Sequence, residues 1–324
     1  MADHKSDSSP IAESWDTYWH GARHGAAYTG GGTSHPLILS FWDEYFKAVK
    51  TQYGTARIID IASGSGAVIE CAKAAFGGQL ADFTCLDISA SAISMLKKRF
   101  PGVHGIVADA RSIPLDPAGY DIATSQFGIE YAGLEAIDEV TRLITPGGQL
   151  TLLLHNRAGG IYTQCAASLD AIEKLQEARF IPYSITMFEE GFAAIRGADP
   201  AKHDAAAGKL VPAIRTMESI IMQHGKHVAD GTIMRLFNDV KTMHGRMQNY
   251  EPSEVLDWLN KMDGEVQAYA GRMASMCNAA IDAEAFEQLK DKLKGQGHKI
   301  LRGEALVNPD QVVPLAWALV AEKT

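Results

Sequence analysis

The residues best suited to chemistry in this chain surround a small-residue turn, Asp60-Ile61-Ala62-Ser63-Gly64-Ser65-Gly66. Ala62 to Gly66 carry almost no side-chain bulk, and glycine reaches the positive φ of a tight turn, so this backbone can lie directly against a ligand. Asp87 and Asp109 follow, each closing an apolar run. An acid roughly 20 residues beyond such a turn is placed to accept hydrogen bonds from ribose hydroxyls, which suits Asp87. A second set, Gln126, Glu130, Tyr131, His155, Asn156 and Arg157, falls at or just past two later apolar runs. His155 fits a general base, because imidazole titrates near neutral pH. It fits equally well a residue that ends a strand and bonds the backbone, and so does Asn156.

These residues need elements to hold them. Ile58 to Ile61 form a short β-branched run bounded by turn residues, which reads as a buried strand, and Ala67 to Ala75 are good helix formers. Strand, glycine turn and helix together make a ligand-binding βα unit. A second strand is expected across Ala81 to Ser89, then a helix from Ser91 to Phe100 stopped by Pro101-Gly102. Further strands are expected across Val103 to Ala110, across Tyr120 to Gly128, and after a turn at Pro146-Gly147-Gly148 up to Leu154. Upstream, Leu37, Phe41, Tyr45, Ala48 and Val49 sit at helical spacing. Ser14 to His20 bring a possible cap and an aromatic cluster, and Tyr28 to Pro36 form a glycine-rich loop.

Residues 157–281 show helical spacing throughout: Ile161, Cys165, Leu169 and Ile172; Ile214, Met217 and Ile221; Met234, Phe237 and Val240; Val255, Trp258, Leu259 and Met262. Several helices with apolar stripes to bury suggest a cap over the carboxyl edge of a sheet. Composition frames the rest. With 324 residues, 46% hydrophobic and 21% charged, the chain can build a large core and an accessory domain. A net charge of -9, with no basic run longer than Lys97-Lys98-Arg99, argues against nucleic acid as a partner. Cys71, Cys85, Cys165 and Cys277 are scattered with no C-x-x-C pair, which suits buried thiols in a reducing compartment. Residues 1–10 read as a disordered polar tail without a signal-peptide core, and no run is long enough to span a membrane. The expected location is the cytoplasm.

The succession of Asp60 with its glycine turn, Asp87, Asp109 followed by Ala110, the polar end of the Tyr120 strand and Pro146-Gly147-Gly148 resembles the class I S-adenosylmethionine-dependent methyltransferases over roughly residues 55–156. Ala62 stands where that family usually has its first glycine. The likeness resumes at Gly303 to Val307 and Leu315 to Ala321, similar to the antiparallel pair that closes the family's sheet. It implies an α/β fold with a seven-stranded, mostly parallel Rossmann-like sheet and a large α-helical insertion after strand five. The implied domains are a tail at 1–10, a helical lid at 11–50, a core of 51–156 plus 282–324, and a helical cap at 157–281.

The implied cofactor is S-adenosyl-L-methionine, held by Asp60, Ala62, Ser63, Gly64, Gly66, Asp87, Ile88, Asp109, Ala110, Ser125 and Gln126. The acceptor would meet Tyr18, Tyr28, Glu130, Tyr131, Asn156 and Arg157, with His155 as base and His20, His24 and His35 as weaker lid candidates. No metal is implied, because Ser125-Gln126-Phe127 places no carboxylate where metal-dependent relatives hold Mg²⁺. The implied activity is in-line methyl transfer to a small or medium-sized molecule. A protein or peptide methyltransferase and a non-catalytic cofactor-binding protein of the same fold remain open. A nicotinamide dehydrogenase is disfavoured, since Ile69 occupies the third glycine place of the dinucleotide fingerprint. The sequence assigns no oligomeric state.

Overall fold

A computed structural model describes residues 15–16, 35–78, 82–307 and 313–324. Tyr18, Tyr28, His20 and His24 lie outside these residues, as do the tail and most of the stretch expected to be a lid. The chain divides into two compact units, with breaks after Tyr162 and after Asn278.

The first unit is built on seven strands: β1 (Ile58–Ile61), β2 (Phe83–Asp87), β3 (His104–Val107), β4 (Tyr120–Gln126), β5 (Ile144–His155), β6 (His298–Val307) and β7 (Pro314–Lys323). They lie in the order β3-β2-β1-β4-β5-β7-β6. β1 to β5 run parallel, while β7 pairs antiparallel with both β5 and β6. All of β1 is buried. A parallel strand covered on both faces has no solvent side, which explains an unbroken apolar run in place of alternation. The strand order reverses between β1 and β4, and in such sheets ligands bind outside the carboxyl ends at the reversal. The glycine turn leaves β1 there, and Gln126 ends β4 there.

Several expected boundaries move. The second strand is Phe83–Asp87 and still ends on its acid. The third is only His104–Val107, so Asp109 sits in the following loop and does not end the strand. Pro146-Gly147-Gly148 is no turn ahead of β5 but a bulge within it: Tyr120 pairs with Ile144 and Ile122 with Gln149, leaving the residues between to loop out with Gly147 at φ 76°.

Helices pack on this sheet. α1 (Pro36–Tyr53) starts with proline at its first turn, His35 Nδ1 accepting from the Leu37 N–H at 3.2 Å, and Gly54 at φ 67° stopping it. Its buried face is Ile38, Phe41, Trp42, Tyr45, Phe46 and Val49. That face is rotated from the expected one: Ala48 is exposed and Leu37 only half-buried, because the bulky aromatics take the inner stripe. α2 (Ala67–Ala75) follows the glycine turn, and α3 (Ala90–Arg99) is capped by Ser89, whose Oγ accepts from the Ala92 N–H at 3.1 Å. After β4 come a 3₁₀ turn, Ile129–Ala132, and α4 (Ala136–Arg142).

The second unit is helical: α5 (Gly160–Glu177), α6 (Phe180–Ile195), α7 (Pro200–His224), α8 (Thr232–Gly245) and α9 (Pro252–Ala279), the first and last running on into the first unit. It has its own core, with Phe180, Phe188, Ile233, Leu236 and Leu259 among its buried members. On α8 the buried stripe is Ile233, Leu236 and Val240, one position off the expected Met234 and Phe237. The chain then returns to the first unit through α10 (Ala283–Gly295), capped by Asp282. The insertion leaves and re-enters at one place: Ile281 bridges Asn156, donating to the His155 carbonyl at 3.0 Å and accepting from the Arg157 N–H at 2.9 Å.

Candidate functional site

The glycine turn holds itself together with its own acids. Asp60 is buried, and its Oδ1 accepts from Thr124 Oγ on the neighbouring strand at 2.8 Å. Burial of that carboxyl, only partly offset by the hydroxyl, pushes its pKa up from 3.8 to about 7. Ser63 Oγ donates to the Asp60 carbonyl at 2.7 Å. Asp87 closes the other side, its two oxygens accepting from the N–H groups of Gly64 and Ser89, each at 2.9 Å. Burial raises the Asp87 pKa against these bonds. Asp87 therefore ties the turn to the end of β2, and its remaining lone pairs are what a ribose could use.

The conformational demands fall where small residues stand. Ala62 is left-handed at φ 53°, which costs a non-glycine residue about 1–2 kcal/mol. Gly66 has φ 82°, and a Cβ there would lie 2.6 Å from Leu96 Cδ2 and 2.6 Å from Phe100 Cε2. Gly66 thus serves the packing of α3 as well as the turn. Ile88, half-buried, follows Asp87 directly.

A second group gathers at the ends of β4 and β5. Gln126 Oε1 accepts from Trp42 Nε1 of α1 at 2.5 Å. Because an indole nitrogen only donates, this contact fixes which way the amide faces, and its buried Nε2 finds no partner among the described residues. Ser125 Oγ accepts from the Ile129 N–H at 3.1 Å and shapes the turn after β4. That turn delivers Glu130, fully buried, whose Oε1 accepts from both the backbone N–H and the Nδ1 of His155, at 2.9 and 2.7 Å. Phe127 lies 4.5 Å from the His155 ring, and Tyr131 meets it edge-on at 5.8 Å. The two groups touch: a Cβ at Gly128 would lie 2.5 Å from the Ala62 Cβ and 3.1 Å from its carbonyl oxygen.

Other candidates are engaged elsewhere. Asp109 is gripped by Arg111, with Nε at 3.0 and 3.1 Å from its two oxygens and Nη2 at 2.6 Å from Oδ2, and that guanidinium holds its carboxyl below the usual range. Ala110 joins the core beside Ile113 and Leu86. Asn156 is buried with Oδ1 accepting from the Ala158 N–H at 2.8 Å, which accounts for it as a turn residue. Arg157 is exposed, 4.0 Å from Asp282. His35 is the cap of α1. Among the described residues no group of three or more His, Cys, Asp or Glu side chains is placed to hold a metal ion.

Sequence reasoning did not single out Trp42, Thr124 or Phe127, which reach the site by strand register or helix packing. It also passed over Asp16, whose Oδ1 accepts from Ser89 Oγ at 2.7 Å and the Ser91 N–H at 2.8 Å, while neighbouring Trp15 meets Tyr131 edge-on at 5.1 Å. Residues 15–16 thus reach both the end of β2 and the turn after β4.

Residues 58–148 match the family model described as a methyltransferase domain. An uncharacterized methyltransferase of Schizosaccharomyces pombe is 29% identical over 127 residues, 39% of this chain and 48% of that protein. A ubiquinone/menaquinone biosynthesis C-methyltransferase of Campylobacter jejuni is 28% identical over 116 residues, 34% of this chain and 49% of that one. The chain thus spans about half the length of these curated relatives. The solved structure of the plantazolicin methyltransferase BpumL with S-adenosylhomocysteine covers 97% of this chain and 96% of its own at 11% identity and a TM-score of 0.48. Residues 58–148, which take in the glycine turn, Asp87, Asp109 and Glu130, are thus similar to a methyltransferase domain.

Proposed function

We propose that this protein transfers a methyl group from S-adenosylmethionine to a small or medium-sized molecule, without a metal. What supports this reading most is the contact of Gly128 with Ala62, which sets the turn carrying Glu130 directly against the glycine turn. The residues present suit the cofactor: a turn of minimal bulk, acids at Asp60 and Asp87, and in Gln126 a buried amide donor without a protein partner. When bound, S-adenosylmethionine supplies a methyl group already activated on a sulfonium. The chain's own residues then have to bind, align, exclude water and accept a proton.

In this reading Ala62, Ser63, Gly64 and Gly66 offer backbone to the methionine end, Asp87 and Ile88 hold the ribose end, and Asp109 with Ala110 the adenine end. Arg111 already occupies the Asp109 carboxylate, so an adenine amine would share it. Ser125 shapes the floor and Gln126 offers its amide N–H. His155 is the base, and Tyr131 with Trp15 and Phe127 forms an aromatic wall for the acceptor. Within residues 11–50, α1 is fixed on the sheet and the part before it acts as the lid, supported by the reach of Trp15 to Tyr131 and of Asp16 to Ser89. Residues 157–281 select the acceptor, supported by their attachment at His155 to Arg157. The free cysteines and the absence, among the described residues, of a helix long and apolar enough to cross a membrane support a cytoplasmic setting. The test is transfer of labelled methyl from S-adenosylmethionine to a panel of small acceptors and, in parallel, peptides. Transfer to small molecules is expected; transfer to peptides alone would overturn the acceptor class.

A further inference from the structure

We infer that Glu130 is a positioning residue that fixes His155 as an Nδ1–H imidazole with a bare Nε2, and that the acceptor it serves presents a neutral hydroxyl. The inference rests on the methyltransferase reading and goes on to name the acceptor chemistry. One carboxylate oxygen, Glu130 Oε1, takes both hydrogen bonds that His155 can offer from its backbone and its near ring nitrogen, at 2.9 and 2.7 Å. Oε1 is an acceptor toward the backbone N–H, so the Nδ1 in contact with the same oxygen carries the proton and Nε2 is left with its lone pair. The clamp acts on main chain and side chain together, and the rings of Phe127 and Tyr131 close on the imidazole from two directions. A ring held this way has one tautomer and one orientation, which is what a general base requires.

The same arrangement selects the acceptor. Glu130 Oε2 is buried with no hydrogen-bond partner among the described residues, so the site favours an acceptor that donates a hydrogen bond over one that only accepts. A carboxylate acceptor would bring only further lone pairs beside it and needs no base. A neutral hydroxyl does need one: its O–H bond breaks as the O–CH3 bond forms and the CH3–S bond breaks. The proton passes to His155 Nε2, the C–S electron pair leaves on the sulfur, and the imidazolium rests against Glu130. The aromatic wall of Phe127, Tyr131 and Trp15 suits a hydroxyl carried on a flat ring.

The test begins without substrate. Long-range ¹⁵N–¹H NMR of the wild-type chain, with His155→Gln to assign the signals, should show His155 as the Nδ1–H tautomer, and Glu130→Leu, which removes the accepting oxygen, should abolish that preference. A wild-type Nε2–H tautomer, or one unchanged in Glu130→Leu, overturns the inference. With labelled S-adenosylmethionine, 4-alkylphenols should be methylated and the matching 4-alkylbenzoates not; methylation of the benzoates, or of neither, overturns the acceptor class. Glu130→Gln should lower kcat by at least about tenfold with KM within about threefold, and Glu130→Asp should recover part of it. S-adenosylhomocysteine affinity within about threefold of wild type in Glu130→Gln reports an intact fold. Loss of S-adenosylhomocysteine binding by the wild type would instead sink the methyltransferase reading itself.

Discussion

The carboxyl ends of β1 and β2 and those of β4 and β5 handle their buried polar atoms in opposite ways. At β1 and β2 the acids are satisfied by the protein: Asp60 by Thr124, Asp87 by the Gly64 and Ser89 amides. At β4 and β5 two buried atoms, Gln126 Nε2 and Glu130 Oε2, have no partner among the described residues. A buried polar group left unpaired costs about 1–3 kcal/mol. The first end is therefore a rigid frame that exists before anything binds, and the second keeps unsatisfied groups that a ligand would relieve. A family-wide cofactor suits the frame together with the Gln126 amide beside it, and an acceptor peculiar to this protein suits the side of Glu130 and His155.

The largest effect should come from breaking the frame. Gly66→Val forces a β-branched residue to φ 82° and drives its Cβ against Leu96 and Phe100. Strain and overpacking together should cost about 2–5 kcal/mol, read as a lowered Tm with loss of S-adenosylhomocysteine binding. An unchanged Tm would mean that the turn can relax and is no frame.

The frame should also betray itself through pH. Burial lifts the Asp60 pKa from 3.8 to about 7, so between those values the folded chain holds a proton that the unfolded chain has released. The stability this group contributes is fully present at the acid end and is lost as pH rises through about 7, by an amount on the order of a few kcal/mol. Asp60→Asn should remove that slope. Urea midpoints measured across the range would check it, and parallel profiles for the two proteins would contradict it.

Asp87→Ala separates frame from ligand contact. It unties Gly64 and Ser89 and should cost about 1–3 kcal/mol in stability, with a matching loss of S-adenosylhomocysteine affinity by calorimetry. Lower stability with unchanged affinity would leave Asp87 as a clamp only. The smallest effect is expected from Trp42→Phe, which frees the Gln126 amide to turn over and should weaken S-adenosylhomocysteine binding by about 1 kcal/mol with little change in Tm. Equal losses in both would mean that Trp42 acts through packing alone.

The contrast also explains what could be read from the chain. The frame was legible because it is local: a strand runs into a glycine turn, and the acid of the next strand sits where period and turn chemistry put it. Even Ala62, standing in a glycine place, falls at the positive φ that the place demands. The unsatisfied end was legible as a list of polar residues and not as an arrangement. Glu130 reads as an acceptor contact until the turn after β4 folds it under His155. Trp42 reads as one more apolar residue on α1, although it sets the Gln126 amide from 84 positions away. Neither contact has a periodic signature, because both depend on how distant elements pack. Pro146-Gly147-Gly148 misled for a related reason: its composition favours a turn, but pairing with β4 at Ile144 before it and at Gln149 after it draws it into β5 as a bulge.

The central claim is that this crevice is an S-adenosylmethionine site, and the most direct measurement is titration calorimetry of the wild-type chain with S-adenosylhomocysteine, with Gly64→Val as the control. The expected result is saturable binding of one molecule per chain at micromolar concentrations, absent in the variant. No heat of binding to the wild type at high micromolar ligand, or equal binding by the variant, would contradict it.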